Sequence, residues 1–179
     1  TEGHPRITDI VTVDGVTEEA LLTVAAAVES LRDHPLAAAI ARDGRVRLGG
    51  REIPSANGLE NLIGRGVTAT LGNETVWIGK AEMFGADGVP ALGAAAAEAI
   101  AALREQGRTT MVVRLGDREL GAIGLMDTPR EAAKQALVRL KAMGIERMIM
   151  ISGDHQKVAQ AVAKEVGLDE AWGDLMPED

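Results

Sequence analysis

The spacing of hydrophobic residues predicts a strand followed by two helices at the start of the chain. Polar and apolar side chains alternate over residues 6–13, as is typical of a strand. Thr17 is placed to cap a helix in which leucine, valine and alanine recur at helical spacing as far as Leu31. A second helix is predicted over residues 35–42, because proline is favoured at the first helical position.

The middle of the chain predicts an antiparallel sheet with a helix pair on one side. Glycine-containing dipeptides separate short alternating runs there, and such dipeptides favour hairpin turns. The predicted elements are a hairpin of strands 67–71 and 75–78, an alanine-rich helix over 91–106, and a hairpin of strands 111–115 and 119–125.

The last third of the chain changes to a strand–helix–strand–helix order. The predicted elements are a strand over 120–126, a helix over 129–143, a nearly continuous apolar strand over 147–151 and a helix over 155–166. This order is typical of a parallel α/β layer that is buried on both faces. The sequence therefore predicts two architectures, with the change near residue 125.

Composition and charge exclude several classes of function. The formal net charge is −8 and only 2% of the residues are aromatic, which argues against a nucleic-acid-binding module. The chain has no cysteine, so it contains no disulfide, thiolate nucleophile or cysteine zinc site. Its three histidines are far apart in sequence, and no metal site is predicted.

The sequence shows no membrane or secretion signal. No apolar run reaches the roughly 18 residues that span a bilayer, and the first residues show no signal-peptide pattern. The chain is expected to be a soluble piece of a longer protein.

His34, with Glu29 five residues before it, stands at the break between the first two helices. A neutral imidazole at such a break can stack on a flat heterocycle or hydrogen-bond to it, and a nearby carboxylate can accept from an exocyclic amine. An ordinary surface histidine beside a helical glutamate is the more common case for such residues taken alone, and both interpretations stay open.

Two glycines, Gly64 and Gly66, precede a predicted strand. They are not a dinucleotide fingerprint, which needs a helix at that place. Either they bring bare backbone close to a nucleotide or they form a turn or bulge. Gly79-Lys80 is not the end of a phosphate loop, because Ala81 replaces the required serine or threonine.

Polar residues follow two strands of the predicted parallel layer. Asp127 and Arg130 follow the first, and Ser152-Gly153-Asp154 follows the second. Open α/β sheets place their chemistry at these strand ends, where a hydroxyl and free N–H groups suit a phosphoryl oxygen. The alternative is that both aspartates only cap the helices that follow.

These motifs resemble, in their order, the large cytoplasmic loop of a P-type ATPase, and most closely that of the heavy-metal-transporting branch. The resemblance covers essentially the whole chain. The segments that carry it are Thr1-Glu2-Gly3, His34-Pro35-Leu36-Ala37, Gly64-Arg65-Gly66-Val67, Trp77-Ile78-Gly79, Asp127 with Arg130, Ser152-Gly153-Asp154 and Leu175-Met176-Pro177-Glu178-Asp179.

The resemblance implies a two-domain fold. A nucleotide-binding domain, an antiparallel sheet with flanking helices over residues 12–124, would be inserted into an incomplete phosphorylation domain over 1–11 and 125–179. The second domain would have the haloacid-dehalogenase-like parallel α/β fold.

The resemblance also implies roles for individual residues. His34 and Glu29 would recognise adenine, Gly64 and Gly66 would let the nucleotide approach the backbone, and Asp127 and Arg130 would mark the hinge region. Ser152, Gly153 and Asp154 would help to hold the transferred phosphoryl group. ATP and Mg²⁺ would be the cofactors, and the transported metal would bind outside this segment.

The implied activity is ATP hydrolysis through an aspartyl-phosphate, coupled to heavy-metal transport. The partners would be the transmembrane and actuator domains of the same parent chain, with this segment on the cytoplasmic side of a membrane. The family's acceptor motif Asp-Lys-Thr-Gly-Thr does not occur in the sequence, so this chain is expected to be inactive alone. The alternatives are a haloacid-dehalogenase-like phosphatase with a cap domain and a non-catalytic adenine-nucleotide sensor.

Overall fold

A six-stranded antiparallel sheet and a two-stranded parallel sheet organise the chain in the computed structural model, which describes residues 3–127 and 129–176. The parts of the family motifs at Thr1, Glu2 and residues 177–179 lie outside the described residues. The strands are β1 (Arg6–Thr12), β2 (Ala56–Leu62), β3 (Gly66–Leu71), β4 (Glu74–Gly79), β5 (Thr109–Leu115), β6 (Arg118–Met126), β7 (Ile149–Ile151) and β8 (Glu170–Trp172).

Within the described residues, five α-helices and one short 3₁₀-helix connect these strands. The helices are α1 (Glu18–Glu29), α2 (Pro35–Arg47), α3 (Ala94–Glu105), α4 (Glu131–Ala142) and α5 (Gln156–Val166), and the 3₁₀-helix is Ala81–Met83. None of the helices in the described ranges is long and apolar enough to cross a membrane.

The first two helices form as predicted, although α2 is longer. The hydroxyl of Thr17 accepts a hydrogen bond from the backbone N–H of Ala20 at 3.1 Å, which caps α1. Helix α2 continues five residues beyond Arg42, and within this extension the buried Gly44 packs against Ala26 and Leu22 of α1. Tertiary packing extends this helix past the end that local spacing predicts.

Helices cover both faces of the large sheet, whose strand order is β1-β6-β5-β4-β3-β2. Val113 and Ile123 belong to the core that includes residues of α1 and α2. Their neighbours Val112 and Ala122 belong to a second core with residues of α3. Successive side chains of a strand point to opposite faces, so the predicted helix pair occupies one face and α3 the other.

The prediction that residues 120–126 begin the parallel layer is wrong. Strand β6 pairs antiparallel with both β1 and β5, and Ile123 lies opposite Ile10 and Met111. This strand is central in the sheet and is covered on both faces, so its apolar run shows no alternation. A central strand of this kind cannot be distinguished from a buried parallel strand by periodicity.

The parallel layer itself is smaller and more exposed than the sequence predicts. Strands β7 and β8 do pair in parallel, but each has three residues, and no element predicted from the sequence corresponds to β8. Ile149 and Ile151 of β7 are 45% and 75% exposed, contrary to the expected burial on both faces. Among the described residues, β7 has one neighbouring strand and contacts mainly α5, which leaves these side chains open.

The described part of residues 1–11 joins the large sheet through β1. The backbone N–H of Ile7 also donates to the carboxylate of Asp43 in α2 at 2.9 Å. The division of the chain into residues 12–124 and the two flanking parts stays a prediction.

Candidate functional site

Three adjoining cavities lie between one end of the large sheet and the N-terminal end of α5, and together they form what we call the cleft. The first has a volume of about 230 Å³ and includes Gly64, Gly153 and Asp154 in its lining. The second, of about 340 Å³, includes His34, Asp127 and again Asp154. The third, an open groove of about 720 Å³, includes Gly64, Ser152 and Gly153.

The cleft therefore brings together residues from four distant parts of the sequence. His34, Gly64, Asp127 and the Ser152–Asp154 segment all contribute to it. Three of the predicted site residues, Glu29, Gly66 and Arg130, do not line these three cavities.

His34 is an exposed side chain that caps α2. Its Nδ1 accepts a hydrogen bond from the backbone N–H of Leu36 at 3.1 Å. Partial burial lowers the pKa of His34 below its usual 6.5, and the positive charges of Arg32 and Lys80 lower it further. The ring is therefore neutral at pH 7, and with Nδ1 accepting, the hydrogen-bond network assigns the proton to Nε2. That N–H is a donor suited to a heterocyclic nitrogen.

Glu29 is buried and already engaged. Its carboxylate oxygens accept from the Arg32 guanidinium at 3.3 and 3.4 Å, and the side chain has no exposed surface. Burial raises the pKa of Glu29, while the neighbouring Arg32 acts in the opposite direction. A direct contact between Glu29 and a ligand in the cleft would thus require Arg32 to move.

The two glycines of the Gly64-x-Gly66 segment serve different purposes. Gly64 lies in the turn between β2 and β3 with φ +71°, and a Cβ there would meet no atom within 4 Å. At Gly66 a Cβ would lie 2.3 Å from the carbonyl oxygen of Ile78 and 2.5 Å from the Cα of Gly79. Gly66 is thus needed for the close approach of β3 and β4, whereas Gly64 leaves open backbone at the cleft.

Asp127 does not cap α4. Its carboxylate accepts from the backbone N–H groups of Gly3 and His4 at 3.2 and 3.3 Å, which ties the start of the chain to the end of β6. The N-cap of α4 is Arg130, whose side chain makes no capping hydrogen bond. The capping interpretation of Asp127 is therefore wrong.

Asp154 does not cap the following helix either. The imidazole of His155 does so, by accepting from the backbone N–H of Lys157 at 3.2 Å. The Ser152 hydroxyl accepts from the backbone N–H of Asp154 at 3.1 Å and donates to its carboxylate at 3.3 Å. This small loop presents a hydroxyl, a carboxylate and the bare backbone of Gly153 to the cleft.

Arg108 is a further polar group at the cleft that no sequence pattern indicates. It lines the first cavity and donates from Nε to the carboxylate of Asp9 at 3.0 Å, across 99 residues of sequence. The hydroxyl of Thr8 is the main cause that lowers the pKa of Asp9, and Arg108 lowers it as well, against the effect of burial. The pairing of β1 and of β5 with opposite edges of β6 brings these residues together.

Within residues 3–127 and 129–176, no group of three His, Cys, Asp or Glu side chains could hold a metal ion. Mg²⁺ is expected from the family resemblance, but its protein ligands are not assigned to the described residues.

The family model of the haloacid dehalogenase-like hydrolases matches residues 1–176. The chain belongs to this family. Its matching relatives are heavy-metal P-type ATPases, which confirms the resemblance that the motifs indicate.

Two curated relatives illustrate the similarity in sequence. The zinc/cadmium/lead-transporting P-type ATPase of Escherichia coli strain K12 is 39% identical over the full chain, which covers 23% of that protein. The copper-exporting P-type ATPase of Bacillus subtilis strain 168 is 33% identical over 99% of the chain, and the match covers 22% of that protein. The chain thus spans less than a quarter of the length of these relatives.

The structural comparison agrees with the sequence comparison. The crystal structure of a zinc-transporting PIB-type ATPase in the E2.Pi state is 39% identical and matches 99% of this chain with a TM-score of 0.68. The match covers 28% of that chain. The predicted fold class, an antiparallel sheet with flanking helices joined to a haloacid-dehalogenase-like part, is confirmed.

Proposed function

We propose that this chain is the ATP-binding part of a P-type ATPase that moves heavy-metal cations across a membrane. The observation that supports the proposal is the cleft, whose three adjoining cavities are lined in turn by His34, Gly64, Asp127 and the Ser152–Asp154 segment. The similarity of the whole chain to heavy-metal pumps supports it. The parent chain's transmembrane and actuator domains would be its partners, with this segment on the cytoplasmic side.

In the proposed binding mode, each end of the cleft recognises a different part of ATP. The neutral ring of His34 donates its Nε2 proton to the purine, and the open backbone at Gly64 lets the nucleotide lie against the turn. The N–H of Gly153 holds a phosphoryl oxygen at the other end, and the hydroxyl of Ser152 joins it once its proton leaves the carboxylate of Asp154. Glu29 joins the adenine contact only if Arg32 releases it. Asp127 holds the start of the chain beside the end of β6 through its hydrogen bonds to the backbone of Gly3 and His4. Arg130 lies where the chain continues from this point into α4.

The proposed reaction transfers the γ-phosphate of ATP to an aspartate of the parent chain. The 179 residues contain no Asp-Lys-Thr-Gly-Thr acceptor motif, so this chain is expected to bind ATP without forming an aspartyl-phosphate. Bound Mg²⁺ would supply charge neutralisation of the phosphates. Movement of the large sheet towards α5 would bring ATP to the acceptor.

The phosphatase alternative receives no support from the structure. It needs a nucleophilic aspartate near the start of the chain, for which Asp9 is the candidate. Asp9 instead lies in an antiparallel strand and is bonded to Thr8 and Arg108.

Titration with ATP, ADP, AMP and GTP, followed by backbone amide shifts, tests the proposal. The three adenine nucleotides should perturb the residues around His34 and Gly64, with GTP binding poorly. We expect an ATP dissociation constant of ~0.1–1 mM, because an open cleft recovers little of the entropy lost on binding.

The variant His34→Gln should weaken ATP binding roughly 5- to 20-fold, because one hydrogen bond to the base is lost. His4→Gln is the matched control, since it removes another exposed imidazole that does not line the three cavities. Equal affinity for GTP and ATP, or no effect of His34→Gln, would contradict the proposal.

A further inference from the structure

The side-chain amide of Gln156 takes the place of a neighbouring strand at the outer edge of β8. Its Nε2 donates to the carbonyl oxygen of Ala171 at 2.8 Å, and its Oε1 accepts from the backbone N–H of Gly173 at 2.5 Å. One partner is an acceptor and the other a donor, so together they assign the two ends of the amide. Within the described residues β8 has one neighbouring strand, β7, and Gln156 pairs backbone groups on the opposite edge.

Residues 173–175, which we call the strap, are packed tightly against the start of α5. A Cβ on Gly173 would lie 2.6 Å from the Cα of Gln156 and 2.7 Å from the carbonyl oxygen of Asp154. The next residue, Asp174, has φ +57°, a conformation that is uncommon for a residue with a side chain. Its carboxylate accepts from the backbone N–H of Gln156 at 3.1 Å. Gln156 therefore holds the strap through its backbone as well as its side chain.

The strap in turn holds the loop at the end of β7. The backbone N–H of Asp174 donates to the carbonyl oxygen of Asp154 at 2.7 Å, and that of Leu175 donates to the carbonyl oxygen of Ser152 at 3.2 Å. A Cβ on Gly153 would lie 3.2 Å from the carbonyl oxygen of Leu175, so the strap lies directly against this glycine. The two bonds restrict the peptide groups on either side of it.

The backbone N–H of Gly153 is the donor that this arrangement orients. It makes no hydrogen bond with any residue that the structure describes, and Gly153 lines two of the three cavities of the cleft. Glycine has the most backbone freedom to lose, so neighbouring bonds must restrict it. A donor that is already fixed before the ligand arrives binds an oxyanion at a lower entropic cost.

We propose that Gln156 is a positioning residue for phosphate binding: by fastening the strap to α5, it fixes the loop whose Gly153 N–H donates to a phosphoryl oxygen. This inference rests on the proposed binding of ATP in the cleft. Gln156 does not line any of the three cavities of the cleft, so it acts through the strap and not on the nucleotide.

Parallel titrations of the chain with ATP and adenosine test this role. Gln156→Ala should weaken ATP binding about 3- to 10-fold, because the Gly153 donor is no longer fixed. Adenosine binding should stay unchanged, because adenosine has no phosphate to reach the loop. Gln160→Ala is the matched control: Gln160 is an exposed glutamine one turn later in α5, and its side chain makes no hydrogen bond within residues 3–127 and 129–176.

The variant Gln156→Glu gives a readout that a general loss of stability would not produce. The ionised carboxylate has no proton to donate to Ala171, so at neutral pH its ATP affinity should be as low as that of Gln156→Ala. A protonated carboxyl has one donor and one acceptor, as the amide has. Its ordinary pKa is about 4.3, and the facing carbonyl oxygen favours the protonated form. Lowering the pH to about 5 should therefore restore ATP affinity relative to the unsubstituted chain at the same pH, but not in Gln156→Ala.

The outcomes separate this inference from the proposed function. If ATP binds in a His34-dependent manner but Gln156→Ala leaves its affinity unchanged, or weakens adenosine binding equally, the positioning role alone is refuted. An equal loss in Gln160→Ala, or no recovery of Gln156→Glu at low pH, would also overturn it. If neither adenosine nor ATP binds the unsubstituted chain, both proposals fail.

Discussion

Two neighbouring side chains at the cleft, Asp154 and His155, could both cap a helix, but in the structure they have different roles. The sequence favours the aspartate as the cap. In the structure His155 caps the helix, and the carboxylate of Asp154 instead accepts a hydrogen bond from the Ser152 hydroxyl. Asp154 is left with its carboxylate at the cleft, which a local pattern could not reveal.

Thr17 shows the opposite result, since its cap is predicted and confirmed. The bond from Ala20 joins residues three apart, and no distant group competes for the hydroxyl within the part of the chain that the structure describes. A helix cap can be predicted from the sequence when its hydrogen-bond partners lie within a few residues of it.

Glu29 makes the stability of the protein depend on pH. Burial raises the pKa of this carboxyl in the folded chain above its ordinary value of 4.5. Below that ordinary value the group is protonated in the folded and the unfolded chain alike. As the pH rises through the raised pKa, the folded chain must release a proton that the unfolded chain has already lost, so stability falls.

The variant Glu29→Gln should therefore gain stability relative to the unsubstituted chain as the pH rises above 4.5. The free energy of unfolding of the variant minus that of the unsubstituted chain, measured with urea at several pH values, should increase steadily as the pH rises. Glu18→Gln removes an exposed carboxylate from the same helix and serves as the control. A difference for Glu29→Gln that stays constant with pH would refute this explanation.

Among the secondary-structure elements, β3 and β4 depend on a contact that only glycine permits. Alternation and the Gly72-Asn73 turn predict the hairpin, and the structure confirms it. The nucleotide and turn interpretations of Gly64 and Gly66 could not be separated by sequence, because both require a residue without a side chain. The packing of β3 on β4 explains Gly66, and nucleotide contact at Gly64 stays a proposal.

Gly66→Ala should lower the free energy of unfolding by about 3 kcal/mol, because the new Cβ would collide with backbone atoms that cannot rotate away. Gly64→Ala, which also has a positive φ but meets no neighbouring atom, should cost only about 1 kcal/mol. Urea denaturation of both variants checks the difference. Equal losses would show that the approach of the strands does not limit stability.

At the scale of the whole molecule, a contact between α3 and α5 connects the large sheet to the smaller one. Gly107, just after α3, lies so close that a Cβ there would be 2.3 Å from the Cβ of Ala161. The ion pair of Lys157 with Glu105 at 3.2 Å lies on the same contact but is exposed, so it contributes little. The placement of α5, and with it the Ser152–Asp154 side of the cleft, depends on this close packing.

Gly107→Ala should loosen the smaller sheet and α5 while leaving the large sheet intact. We expect hydrogen exchange to become several-fold faster in residues 149–172, because the added methyl group pushes α5 away. Gly144→Ala is the control, since Gly144 also has a positive φ but meets no atom within 4 Å. Equal acceleration in both variants would contradict a specific role for the contact of α3 with α5.

The sequence by itself determined the order of most elements, the helix at Thr17, the hairpins and the family. These features depend on the spacing of nearby residues, or on motifs that are recognised by their order along the chain. The tertiary structure decided the position of β6, the short exposed β7, the burial of Glu29 and the meeting of His34, Asp127 and Asp154 at one cavity. Each of these depends on which distant residues become neighbours, and a periodic pattern contains no information about partners far away in the chain.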